Sequence, residues 1–159
     1  MRLYLIQHGK ATSKEQDPER PLTPAGRAEA EKVARFLRPL ALRVDILWHN
    51  GKARARQTAE ILAGALDVGE GPSARDGLAP NDNVALLRDE LAVATDETMI
   101  VGHMPFVSRL ATLLLTGYES PPVVSFTNAG VVCLSRTGDN RWQVEWIVTP
   151  KLLTELATP

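Results

Sequence analysis

The stretch that decides the fold is LYLIQHGK, Leu3 to Lys10. Four apolar residues run without alternation into Gln7, His8 and Gly9. A strand with one buried face alternates apolar and polar residues. An unbroken apolar run marks a strand buried on both faces, as in a parallel sheet with helices above and below. The following segment, GKATSKEQDPERPL (residues 9–22), is polar and turn-rich and reads as a loop. The strand therefore delivers an imidazole to the point where the chain leaves the sheet. In open α/β sheets, ligands bind outside those carboxyl ends.

Helical and extended patterns alternate outward from that strand. Thr23-Pro24 opens a helix, with threonine as N-cap and proline at the first helical position. Ala30, Val33, Ala34, Phe36 and Leu37 recur at helical spacing up to Pro39. VDILWHN (Val44–Asn50) is a second apolar strand, and KARARQTAEILAGAL (Lys52–Leu66) a second helix. GEGPSARDGLAPNDN (Gly69–Asn83), rich in glycine and proline, reads as a connection. A third helix runs from Val84 to Val93. ETMIVGH (Glu97–His103) is the third strong strand, and FVSRLATLLL (Phe106–Leu115) the helix after it. GVVCLS and RWQVEWIV, joined by Thr137-Gly138-Asp139-Asn140, predict an antiparallel hairpin. KLLTELA closes the chain as a short helix. Strands alternating with helices predict an α/β fold. The expected architecture is a three-layer α/β/α sandwich with a mostly parallel central sheet, in one domain over residues 1–159.

The 159 residues are 44% hydrophobic and 23% charged, with a formal net charge of −1. That length suits one domain with a core of its own. The charge balance offers no bulk attraction to nucleic acid or an anionic membrane, so any positive patch must be local. No charged-then-apolar leader opens the sequence, and no apolar run approaches the ~20 residues of a membrane-spanning helix. Cys133 is the only cysteine, which forbids an internal disulfide and suits a reducing compartment. A soluble cytoplasmic protein is expected.

Only three histidines are present, His8, His49 and His103, and each ends a predicted strand. An imidazole at such a place most simply satisfies hydrogen bonds at the core margin. Two of them are flanked alike, as Gln7-His8-Gly9 and Gly102-His103-Met104-Pro105. Glycine beside an imidazole lets backbone approach closely, as an anion-binding loop requires. The helix after the second strand begins with Lys52, Arg54 and Arg56, where the helix dipole is already positive. Cations there are unfavourable unless an anion is bound. Lys52 and Arg56 read as solvated and Arg54 as turned inward, since residues two apart do not share a helical face.

Gln7-His8-Gly9, RPLTPAG (Arg20–Gly26), RARQTAEIL (Arg54–Leu62) and VGHMP, in this order and spacing, resemble the histidine phosphatase superfamily. The short form is most similar to bacterial phosphohistidine phosphatases of the SixA type, over nearly the whole chain. The resemblance implies the phosphoglycerate mutase-like fold and a covalent mechanism. His8 falls on the nucleophile, which would be phosphorylated and then hydrolysed by water. Arg54 and His103 fall on the groups that stabilise charge on the phosphoryl oxygens. Gly9 belongs to the phosphate-binding turn.

One position departs from the pattern: Gln7 stands where the family has an arginine. Glutamine's amide donates a hydrogen bond but carries neither charge nor fork. Arg20, in the loop after the nucleophile, is the nearest replacement for the missing cation. The family's acid/base carboxylate has Asp82, in LAPNDN, as its candidate here. A departing imidazole needs little protonation compared with an alkoxide, so a phosphohistidine substrate tolerates a weak acid. Few residues separate Arg54 from His103, too few for a lid subdomain, and an open site suits a phosphorylated side chain on another protein. The expected activity is a metal-independent protein phosphohistidine phosphatase in signal transduction, with no cofactor. A histidine-containing phosphotransfer domain is the expected partner. The alternatives are a non-catalytic or weakly active phosphoryl-binding module, because of Gln7, and a three-histidine zinc site. The zinc reading is disfavoured by the Arg54 charge and by the absence of closely spaced histidines.

Overall fold

The apolar run becomes a strand whose successive side chains enter two different cores. Leu3 and Leu5 join one hydrophobic cluster and Tyr4 and Ile6 the other, all at most 1% exposed. The computed structural model describes residues 1–157. They run in the order β1 (Arg2–Gln7), α1 (Pro24–Leu37), β2 (Arg43–His49), α2 (Ala53–Ala63), β3 (Asp67–Ala74), α3 (Val84–Val93), β4 (Thr98–Gly102), α4 (Phe106–Thr116), β5 (Val131–Arg136), β6 (Trp142–Val148) and α5 (Pro150–Ala157). The six strands form one sheet of order β3-β2-β4-β1-β5-β6. β3, β2, β4 and β1 are parallel, β5 is antiparallel to β1, and β6 pairs antiparallel with β5. Helices α1 and α2 cover one face through Val33, Leu37, Ala59 and Leu62. Helices α3 and α4 cover the other through Leu87, Leu91, Phe106 and Leu110. This is the three-layer α/β/α sandwich expected from the sequence. No helix among the described residues is long and apolar enough to cross a membrane.

Local signals set several boundaries. Thr23 caps α1, its hydroxyl accepting from the Gly26 N–H at 2.9 Å, with Pro24 in the first turn. Gly26 must be glycine: a Cβ there would lie 2.2 Å from the Lys10 carbonyl oxygen. That close approach ties the loop after β1 onto α1. Phe36, counted with the apolar positions of this helix, is 38% exposed and lies outside the buried stripe.

Two expectations need correction. The second helix stops at Ala63 rather than Leu66, where Gly64 ends the α pattern and the chain tightens into turns closed by Leu62 and Ala63 carbonyls. The first residues of the Gly69–Asn83 segment, expected to be a connection, belong to the edge strand β3 (Asp67–Ala74). Its register slips between Ile46 and Trp48 of β2, so Gly71 and Pro72 sit at a bulge. Proline is tolerated at such an edge. An edge strand this exposed needs no apolar alternation, which is why periodicity did not reveal it.

Candidate active site

Parallel pairing places the carboxyl ends of β1, β2 and β4 along one edge of the sheet. Because β4 lies beside β1, with Gln7 opposite Gly102, the residues just beyond them become neighbours. The His8 N–H donates to the Gly102 carbonyl at 3.0 Å. The His8 and His103 rings lie with centroids 4.9 Å apart, tilted by 55°. His49, at the end of β2, does something else. It is buried, and its Nδ1 accepts from the Gly51 N–H at 2.9 Å, closing the turn into α2. Among the described residues no three His, Cys, Asp or Glu side chains come together as a metal-ligating group.

His8 is held as a single tautomer. Its Nδ1 lies 2.7 Å from the Gly9 carbonyl oxygen. A carbonyl only accepts, so Nδ1 carries the proton and Nε2 of the neutral ring keeps its lone pair. The backbone around it is pinned from two sides. The Gly9 N–H donates to Thr58 Oγ1 at 2.9 Å, and that hydroxyl donates to the Arg54 carbonyl at 2.7 Å. Asn128 Nδ2 donates to the His8 carbonyl at 2.8 Å. Gly9 is a tight fit, since a Cβ would meet Leu22 Cδ2 at 3.0 Å and the Gly26 carbonyl at 3.2 Å.

Helix α2 brings the positive charge. Arg54 and Thr58, one turn apart, share a face, and that face is turned to the loop after β1, where Thr58 accepts from the Gly9 N–H. Arg54 Nε and His103 Nε2 are buried and have no hydrogen-bond partner among the described residues. Unpaired buried polar groups are costly in a folded chain and mark a place where something else is to be bound. Arg56 points away: it is exposed and paired with Glu60 at 3.1 Å. Arg20 approaches from the loop after β1, in a left-handed conformation with φ 49°. Its Nε donates to the Thr12 carbonyl at 3.2 Å. Gln7 is partly exposed at the end of β1, its carbonyl accepting from the Ala129 N–H at 2.8 Å.

The electrostatics favour neutral rings and an anionic guest. Burial holds His8 below the usual imidazole range, helped by the Arg54 and Arg20 charges and opposed by the Gly9 hydrogen bond. Burial first, and then His8, Arg54, Lys52 and Arg20, bring His103 down to about 3. Burial and the neighbouring Arg20 lower Arg54 too. Among the described residues no carboxylate acts on either histidine. Asp82 is engaged elsewhere, accepting from the Ala79 N–H at 2.9 Å and lining a separate cavity with Arg75 and Glu90. The structure does not bring it to the imidazole pair.

These depressed values have a measurable consequence. An unfolded chain takes up protons on both histidines near pH 6.5, whereas the folded one resists. Stability is therefore expected to fall as pH drops from about 6.5 toward the folded value of about 3 for His103. An NMR titration should find the His8 ring ionising below 6.5. In Arg20→Ala that midpoint should move up, because a nearby cation is gone. A midpoint that stays put would separate Arg20 from the site.

A cleft of about 470 Å³ opens beside Arg54, with Lys14, Glu19, Arg20 and Lys52 among its walls. A cavity of about 510 Å³ at the opposite edge of the sheet, beside Arg2, Tyr4 and Glu97, holds no imidazole and is not part of this site. Thr58 and Asn128 escaped the sequence reading. Thr58 had a signal, its spacing of four from Arg54; Asn128, far along the chain, had none.

Fold and site together define an α/β/α protein with paired neutral imidazoles and an arginine at the carboxyl edge of its sheet, arranged for an oxyanion. Residues 3–79 match the model of the histidine phosphatase superfamily (branch 1). An uncharacterized protein of Picosynechococcus is 33% identical over 150 residues, covering 90% of this chain and 89% of the relative. The chain belongs to the histidine phosphatase superfamily. Its fold is shared with the protein histidine phosphatase SixA solved in complex with tungstate. That match has a TM-score of 0.81 and 24% identity, covering 96% of this chain and 99% of the other. A protein of Agrobacterium tumefaciens that carries the SixA phosphohistidine phosphatase name matches with a TM-score of 0.75 and 26% identity. It covers 94% of this chain and 97% of that one.

Proposed function

We propose that this protein hydrolyses phosphohistidine on a phosphorylated protein, such as a histidine-containing phosphotransfer domain, through a phosphorylated His8. The observation that carries the reading is the locked tautomer of His8 in a site with two buried nitrogens that lack a partner among the described residues, Arg54 Nε and His103 Nε2. The Nε2 lone pair attacks phosphorus, the N–P bond of the substrate breaks, and its imidazole leaves with a proton taken from solvent. Water then attacks phosphorus, and the His8 nitrogen is the second leaving group. Arg54 and His103 donate to the phosphoryl oxygens as their charge develops. Gln7 and Gly9 complete the phosphate-binding turn. Rigidity at the end of β1 supplies alignment of the lone pair with phosphorus. The reaction as written needs no metal or cofactor, in keeping with a binding set made of cationic and neutral donors. The SixA protein that shares this fold was solved in complex with tungstate, a tetrahedral oxyanion, in keeping with an oxyanion ligand. The test is loss of label from a phosphorylated phosphotransfer domain in the presence of EDTA. Retention of the label, or dependence on an added divalent ion, would count against it.

Gln7 favours a second reading, a phosphoryl-binding module with weak or no turnover, since it brings no charge to the phosphate. Arg20 bears on the choice, because its charge acts on both histidines and on Arg54. If Arg20 replaces the missing cation, Arg20→Ala should cost roughly tenfold or more in kcat/KM, as loss of a charged donor does. The loss should be milder in a Gln7→Arg background. Harmlessness in both backgrounds would end the idea of compensation, and vanadate binding without turnover would establish the binder.

A further inference from the structure

The cleft beside Arg54 shares that arginine and Arg20 with the phosphoryl site and has a composition of its own. Lys14 and Arg20 reach it from the loop after β1, and Lys52 and Arg54 from the start of α2. Glu19 is the one acidic group on its walls. Elsewhere on the surface Arg43, Arg56, Arg75, Arg88 and Arg109 each hold a carboxylate. Among the described residues Lys14, Arg20, Lys52 and Arg54 hold none. Arg54 and Arg20 act on both His8 and His103, Lys52 on His103 alone and Lys14 on neither, so the lysines lie toward the outer part of the cleft, Lys14 outermost. Both are exposed.

We propose that Lys14 and Lys52 form a second anion subsite, contiguous with the phosphoryl site, that takes a carboxylate side chain flanking the phosphorylated histidine of a protein substrate. The inference rests on the reading given under Proposed function and specifies its substrate class. Three features select a carboxylate on a peptide. No aromatic residue lines the cleft, so a nucleobase has nothing to stack on. Pro18 and Ala53 are the apolar side chains on its walls, too small a surface for a lipid chain. Lysine presents a compact charge on a flexible stem rather than a fixed fork, which suits single carboxylates arriving at slightly different positions along a segment.

The test compares two peptides phosphorylated on histidine, one flanked by Asp and Glu and the other by Asn and Gln. Exposed ion pairs contribute modestly, so two of them predict a preference of roughly three- to tenfold in kcat/KM for the acidic peptide. The preference should shrink as salt is raised. It should disappear in the Lys14→Ala/Lys52→Ala double variant and grow in Glu19→Gln. Equal rates for the two peptides, or a preference kept by the double variant, would overturn the subsite. If neither peptide is hydrolysed, the catalytic reading has failed, and binding decides the subsite alone. Fluorescence anisotropy of the unphosphorylated peptides with orthovanadate present should show the acidic one bound more tightly by the wild-type protein and not by the double variant. Equal binding there would likewise overturn the proposal.

Discussion

His8→Ala is expected to abolish turnover, by about 10⁴-fold or more, as removal of a covalent nucleophile does. The wild-type protein should accumulate an acid-labile, base-stable phosphoenzyme that the variant cannot form. The fold should survive the change. Among the described residues the His8 ring makes one hydrogen bond, to the carbonyl of the next residue, so truncation strands no remote partner. The strand before it is held by ladder bonds to β4 and β5 and by two separate cores. Circular dichroism and thermal unfolding should therefore be close to wild type while the labelled phosphoenzyme is missing. An alanine variant that kept most of its activity would sink the covalent mechanism.

Arg54→Ala carries the second largest expected effect. Removing a charged donor aimed at developing oxyanion charge typically costs ~3–4 kcal/mol in the transition state, a hundredfold to a thousandfold in rate. Arg56→Ala, two residues on, removes an exposed helical pair with Glu60 worth about 0.3–0.5 kcal/mol of stability, and should leave kcat/KM almost unchanged. Stability gives the arginines opposite signatures. Arg54 lies beside Arg20, with its Nε buried and unpaired, so its removal relieves repulsion and desolvation. The variant should unfold at the same temperature as wild type or higher while losing activity. Equal losses at the two arginines, or a large drop in Tm for Arg54→Ala, would assign Arg54 to the support of the helix instead.

The layered fold was legible because its decisive signals are local. An unbroken run such as Leu3 to Ile6 can be buried on both faces only inside a covered sheet, and Thr23-Pro24 caps a helix whatever lies around it. Hence the α/β alternation and the placing of His8 and His103 at strand ends follow from the residues along the chain alone. β3 was invisible because an exposed edge strand is stabilised by backbone pairing with β2, and that pairing leaves no trace in side-chain periodicity.

Which strand ends meet was settled by the packing of the whole sheet. Strand order puts β4 beside β1 and so sets the His8 and His103 rings together, while His49, read on the same footing, closes a turn through Gly51. Folding also commits the Asp82 carboxylate to the Ala79 turn and brings Thr58 and Asn128 to the backbone on either side of His8. These outcomes depend on contacts between residues up to 120 positions apart. Composition and spacing carry information about neighbours along the chain, whereas such contacts are selected by the packing of the whole sheet.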